Sequence, residues 1–100
     1  MTMYYTYILK SMKESGAVYI GYTKDIDARI AQHNSPENSG YSKRYAPWAL
    51  ETFMAFSEEK EARKFETYLK SSSGKAFMKK RLISDMFKEA MEKYNNGRYT

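Results

Sequence analysis

One hundred residues, 42% apolar and 29% charged with a net charge of +5, make one domain with one core, because a chain this short buries only about two thirds of its unfolded surface. No apolar run approaches the roughly 18 residues of a membrane span, and the lack of cysteine excludes a disulfide framework and a thiolate metal site. The N-terminus, MTMYYTYILK, has neither a basic stretch ahead of its apolar residues nor a small-residue cleavage site, so it does not read as a signal peptide and a cytoplasmic protein is the expectation.

In chain order, residues 4 to 10, YYTYILK, and residues 17 to 22, AVYIGY, are rich in aromatic and β-branched types and are separated by the polar stretch SMKESG, with Gly16 as turn former. They read as an antiparallel strand pair with Tyr5 and Tyr7 on one face and Thr6 and Ile8 on the other. Thr23 then serves as N-cap of a helix carrying Asp25 and Asp27 in its first turn and running to about Asn34. At 100° per residue Ile26 and Ile30 form its apolar stripe, with Arg29 about 60° and His33 about 20° to one side of Ile26. Arg29 and His33 therefore share an edge beside that stripe.

The following stretch, SPENSGYSKRYAP, reads as a loop whose Lys43 and Arg44 reach for phosphate. WALETFMAF is a third strand, and Ser57 the N-cap of a second helix with Glu58 and Glu59 in its first turn. Ala62, Phe65 and Leu69 form that helix's apolar stripe, with Glu66 at its border, and SSSG ends it. FMKKRLISDMFKEAMEKY supplies one or two short helices, and NNGRYT a frayed end. The fold class is α+β: a small three-stranded sheet, antiparallel or mixed, flanked by helices.

Residues 70 to 98 hold eight Lys or Arg against three acids, so the net positive charge is concentrated there. Such a block, Lys75, Lys79 and Lys80 included, suits a polyanion because each neutralised phosphate releases counterions. A solvated helical face is the ordinary alternative.

Two tyrosine-bearing strands, a tight link into a helix, and an arginine ten residues after the second key tyrosine together resemble the GIY-YIG endonuclease superfamily. Tyr19, Ile20 and Gly21 spell YIG, while Tyr5, Thr6 and Tyr7 stand for GIY, with Tyr7 at the tyrosine position. Arg29 matches the family's helix arginine, His33 in AQHN a histidine of many members, and Glu66 in KFETYLK the metal-binding glutamate. SKRYAPWALE and SSSGKAFMKKRL resemble segments of the small stand-alone bacterial members, which are related to the N-terminal nuclease domain of the excision-repair nuclease subunit. One departure stands out: several members carry an asparagine after the glutamate helix, and none occurs here between Glu66 and Asn95. The resemblance implies a nuclease domain over residues 1–82, with 83–100 a helical extension and frayed tail of the same domain.

It also implies a chemistry. Phosphodiester hydrolysis needs a nucleophilic water, a group to take its proton, and positive charge on the phosphate. Tyr7, or a group acting through it, is then the general base, Tyr19 orients water or phosphate, and His33 relays a proton or hydrogen-bonds the leaving side. Glu66 binds one divalent cation, Mg²⁺ or Mn²⁺. A tyrosine of pKa near 10 is only about 0.1% phenolate at pH 7, so a cation must assist it, and Arg29 with a bound metal is suited to that. The expected partner is DNA, with branched or damaged DNA in repair or recombination among the candidate substrates and no membrane involved. Monomer and weak dimer both stay open.

Taken singly, each residue has an ordinary reading: strand packing for the tyrosines, an ion pair with Asp25 for Arg29, a structural role for His33, an ion pair with Lys70 for Glu66. Their ordered coincidence with the motif favours a metal-dependent endonuclease. The alternative is a nucleic-acid-binding module with weak or no catalysis, and an interaction protein using exposed aromatics is a third reading.

Overall fold

In the computed structural model, which describes residues 2–99 and side chains as far as Tyr94, the order of elements is β1 (Tyr4–Ser11), β2 (Val18–Thr23), α1 (Ile26–His33), α2 (Tyr41–Arg44), β3 (Trp48–Phe56), α3 (Glu59–Lys70), α4 (Ser72–Arg81) and α5 (Asp85–Tyr99). The sheet is antiparallel throughout, in the order β2-β1-β3. β1 is therefore the central strand. Thr6, Tyr7, Ile8 and Leu9 are all buried along it, since helices cover both faces.

The alternation of β1 divides the core in two. Ile8 and Ile20 face Leu69 of α3, Met78 of α4, and Phe87 and Met91 of α5. Tyr7 and Leu9 face the opposite way, into a cluster with Ala17, Tyr45 and Trp48 against which Tyr19 and Ile30 pack. The sheet is fastened to α3 by Thr6 Oγ1, which donates to the carbonyl of Ala62 at 2.7 Å. At the far end, Lys10 pairs with Glu51 at 3.3 Å and Glu51 accepts from the Ser84 amide at 2.8 Å, which fixes the start of α5 to the sheet.

Several local details differ from the sequence reading. Asp25, not Thr23, caps α1: its side chain accepts from the Ala28 amide, while Thr23 ends β2 and its Oγ1 accepts from the Asp25 amide at 3.1 Å. Glu58 rather than Ser57 precedes α3, without a side-chain cap. The basic loop contains a helical turn, α2, entered through Gly40 at φ 83°. SSSG ends α3 and at once starts α4, because the Ser71 side chain accepts from the Gly74 amide. The frayed end expected from residue 95 is helical in backbone to Tyr99, its side chains and Thr100 lying outside the described residues.

α5 packs on the turn between β1 and β2 at Gly16. That residue has φ 96°, and a Cβ there would stand 2.4 Å from the Ala90 carbonyl oxygen. A side chain would both strain the backbone and push the helix away.

Candidate active site

β1, β2 and α1 bring four of the five expected residues together. The Tyr7 hydroxyl lies 3.0 Å from His33 Nε2 and 3.3 Å from Arg29 Nε. Arginine can only donate, so the Tyr7 oxygen accepts from Arg29, and we assign its own proton to His33, whose role depends on its tautomer. That assignment makes Nε2 the acceptor nitrogen of a neutral imidazole and leaves the proton on Nδ1.

α1 delivers these groups because its polar edge turns inward. His33 is the buried residue of this helix, 5% exposed, while Ile26 and Ile30 are only partly covered, so the edge beside the apolar stripe is the face that meets the sheet. Arg29 spends a second N–H on Gln32 Oε1 at 3.0 Å, and the ion pair with Asp25 gives way to the tyrosine and the cap.

Tyr19 stands two residue pairs along the ladder, opposite Leu9, while Tyr7 faces Gly21. The Tyr19 ring lies 4.5 Å from the His33 ring and stacks at 6.3 Å on Tyr7. Gly21, the last letter of YIG, is what makes room: a Cβ there would come within 2.6 Å of the Tyr7 oxygen.

Glu66 comes from the other side of the sheet, on α3. Its charge reaches Tyr7, being among the influences that raise the tyrosine's pKa. Its carboxylate also accepts from Lys70 Nζ at 2.8 Å, so the ordinary ion-pair reading of this residue is realised as well. Among the described residues no group of three or more His, Cys, Asp or Glu gathers to hold a metal ion. A lone, partly exposed carboxylate fits Mg²⁺, which keeps several waters and is completed by substrate phosphate oxygens, and does not fit a metal caged by protein alone.

The electrostatics are set by burial. Tyr7 is raised above the usual tyrosine range chiefly because it is buried; Arg29 pulls it back without prevailing. Arg29 is held more firmly protonated by its bond to Tyr7. His33 is pushed below the usual histidine range by burial first and by Arg29 second. At neutral pH the site therefore pairs a protonated phenol with a neutral imidazole under a permanent cation.

The expected phosphate-binding cations divide. Lys75 and Lys79 of α4 line a cleft of about 410 Å³ that also contains Tyr19, Tyr41 and Lys70. Lys80 is exposed on the next position of the helix, about 100° round from Lys79. Lys43 is exposed on α2, and Arg44 lies with its guanidinium 5.6 Å over the Tyr45 ring, in a separate hollow shared with Lys13 and Glu14.

Supporting residues went unnoticed in the sequence. Asn34, directly after His33, clamps the Trp48 backbone from both sides, donating to its carbonyl at 3.0 Å and accepting from its amide at 2.6 Å. The Trp48 indole in turn donates to the Ser42 carbonyl at 2.6 Å. An asparagine at a helix C-terminus is the signal that was available.

The family model of the GIY-YIG catalytic domain matches residues 3–81. The chain belongs to the GIY-YIG family. Members of this family are nuclease-type hydrolases of DNA, in general dependent on a divalent metal. Among similar proteins, a UPF0213 protein of Staphylococcus saprophyticus is 36% identical over 85 residues, covering 85% of this chain and 99% of the relative. The UPF0213 protein YsiG of Lactococcus lactis is 30% identical over 94 residues, 94% of this chain and 88% of that one. The solution NMR structure of the UPF0213 protein BH0048 from Bacillus halodurans matches with a TM-score of 0.51 at 29% identity, over 87% of this chain and 93% of the other. As a GIY-YIG domain, the chain has the three-stranded antiparallel sheet of that neighbour, and no described helix is long and apolar enough to cross a membrane.

Proposed function

We propose that this GIY-YIG domain is a metal-dependent DNA endonuclease that nicks one strand by hydrolysis, with Tyr7, Tyr19, Arg29, His33 and Glu66 as its site. The observation that carries the reading is the Tyr7 hydroxyl held between the Arg29 guanidinium and the His33 imidazole. In this reading residues 1–82 are the nuclease domain and 83–100 an extension of it, as Phe87 and Met91 in the core support.

A buried tyrosine with a raised pKa does not rest as phenolate. It acts instead as a relay: its oxygen takes the proton of the attacking water as its own proton passes to His33 Nε2, which burial keeps free to accept. Arg29, bonded to Tyr7 and Gln32 and also interacting with Tyr19, has five N–H groups and so keeps donors for the charge that builds on the phosphate oxygens. Tyr19, tilted against the His33 ring and stacked on Tyr7, holds both rings in position. Glu66 would hold the divalent cation, Mg²⁺ or Mn²⁺, whose chemistry is to polarise phosphate oxygens and acidify bound water. Lys75 and Lys79 stand where backbone phosphates would pass.

The test is nicking of supercoiled and branched DNA with Mg²⁺ or Mn²⁺. Cleavage is expected to require metal and to fail in Tyr7→Phe, Arg29→Ala and Glu66→Ala, and robust metal-dependent cleavage by all three variants would refute the site. Salt-sensitive binding with no cleavage under any metal would favour the second reading, a binding module, which the lack of an asparagine between Glu66 and Asn95 favours.

A further inference from the structure

The cleft beside the site has a composition that phosphate binding alone does not explain. Its cations are Lys70, Lys75 and Lys79, and apolar and aromatic residues, Met78, Met91, Tyr19 and Tyr41 among them, share its lining. Tyr41 is half exposed. Its ring belongs to a continuous aromatic series: His33 lies 4.5 Å from Tyr19, Tyr19 lies 6.4 Å from Tyr41, and Tyr45 lies 4.9 Å from Tyr41. The Tyr41 hydroxyl donates to the Val18 carbonyl at 3.1 Å, which fixes the ring against β2. Neither Lys75 nor Lys79 forms an ion pair with a carboxylate among the described residues.

A fixed, half-exposed aromatic ring beside unpaired lysines is the arrangement by which proteins hold single-stranded nucleic acid, the ring stacking on a base and the cations following its phosphates. We propose that this cleft seats an unpaired base of the substrate strand, with Tyr41 as stacking platform and Lys75 and Lys79 on the flanking phosphates. The volume, about 410 Å³, lies in the range that accepts one small ligand. Paired bases are stacked inside a duplex and cannot reach Tyr41 without being unpaired. Because Tyr19 belongs both to the cleft and to the aromatic contact with His33 and Tyr7, the seated base adjoins the phosphate presented to the site. The substrate class is therefore DNA with unpaired nucleotides at the cut, an inference that rests on the nuclease reading for the position of the strand.

Fluorescence anisotropy with a labelled short oligothymidine and a blunt duplex of equal length, in EDTA and low salt, tests the subsite apart from catalysis. The single strand is expected to bind on the order of 10-fold more tightly than the duplex, and Tyr41→Ala to lose about 10-fold on the single strand alone, with Tyr41→Phe retaining most of the affinity. Lys75→Gln and Lys79→Gln should each lower the slope of log K against log salt by about 0.7. Equal affinity for the two DNAs, or undiminished single-strand binding by a folded Tyr41→Ala, overturns the proposal. The failures are separable. Single-strand binding with these mutational effects but no cleavage in Mg²⁺ or Mn²⁺ supports the subsite and sinks the catalytic reading. Metal-dependent cleavage of blunt duplex that Tyr41→Ala leaves unchanged overturns the subsite and spares the nuclease.

Discussion

Tyr7 and Gly21 face each other across the β1–β2 ladder so closely that a Cβ on the glycine would come within 2.6 Å of the phenolic oxygen and 2.8 Å of the carbon that bears it. The glycine of YIG therefore sets the position of the tyrosine hydroxyl, which is 3.0 Å from His33 and 3.3 Å from Arg29. Because the Tyr7 ring is 1% exposed, it has no free space to retreat into. Gly21→Ala is expected to displace the hydroxyl from its partners, lowering the nicking rate by about 100-fold, as a misplacement near 1 Å can do, and to destabilise the fold by about 1–3 kcal/mol through overpacking. Plasmid nicking and urea denaturation measure the two effects, and a fully active Gly21→Ala would mean that the hydroxyl position is unimportant.

Tyr7→Phe removes the oxygen and keeps the ring. The buried His33 Nε2 then loses its donor and Arg29 Nε its acceptor, so a stability loss of about 1–3 kcal/mol is expected. Loss of the proton relay should lower the rate by about 100- to 10,000-fold. Nicking kinetics at saturating metal, with a denaturation curve on the same sample, separate the two. A variant destabilised but fully active would reduce Tyr7 to a structural residue.

The sheet, its antiparallel first pair and the long helices were legible because their signals are local: aromatic and β-branched residues in YYTYILK, a 3.6-residue stripe through Ala62, Phe65 and Leu69. What the sequence hid depends on tertiary choice. The helical turn at Tyr41–Arg44 has no side-chain cap, and its Ser42 is held by tertiary contacts, its carbonyl accepting from the Trp48 indole and its hydroxyl oxygen from Asn38 Nδ2. Asp25 displaces Thr23 as cap because β2 runs on to Thr23. The grouping of Tyr7, Arg29 and His33 at one oxygen could be anticipated from the motif, whereas Tyr41 beside Lys75 and Lys79 could not. The first comes from α2 and the others from α4, which meet only after α3 and α4 fold over the sheet.

The pH response of His33 has a definite sign. Burial and Arg29 lower its folded pKa, so between that value and about 6.5 the unfolded chain binds a proton that the folded chain refuses. Its contribution to stability is fully present above about 6.5 and is lost as pH falls through the folded pKa. Activity should follow the same group, since only neutral His33 can accept from Tyr7; the acid limb of kcat/KM is expected below pH 6.5. Titrating the His33 ring by NMR alongside the rate profile checks this. A ring pKa at or above 6.5 would contradict the assignment of a neutral acceptor.

Lys70 and a divalent cation would compete for the same carboxylate of Glu66. The existing pair is short, 2.8 Å, and joins residues one helical turn apart, yet the lysine side chain is 54% exposed and the glutamate 21%. After solvent screening such a pair is worth only about 0.3–0.5 kcal/mol. Replacing Lys70 by Gln should therefore tighten metal binding by about twofold, leaving the thermal midpoint nearly unchanged. Because Lys70 also lines the cleft, DNA would confound the comparison, and Mn²⁺ binding followed by electron paramagnetic resonance without DNA is the appropriate measurement. An unchanged or weaker Mn²⁺ affinity in Lys70→Gln would show that the cation is held elsewhere than at Glu66.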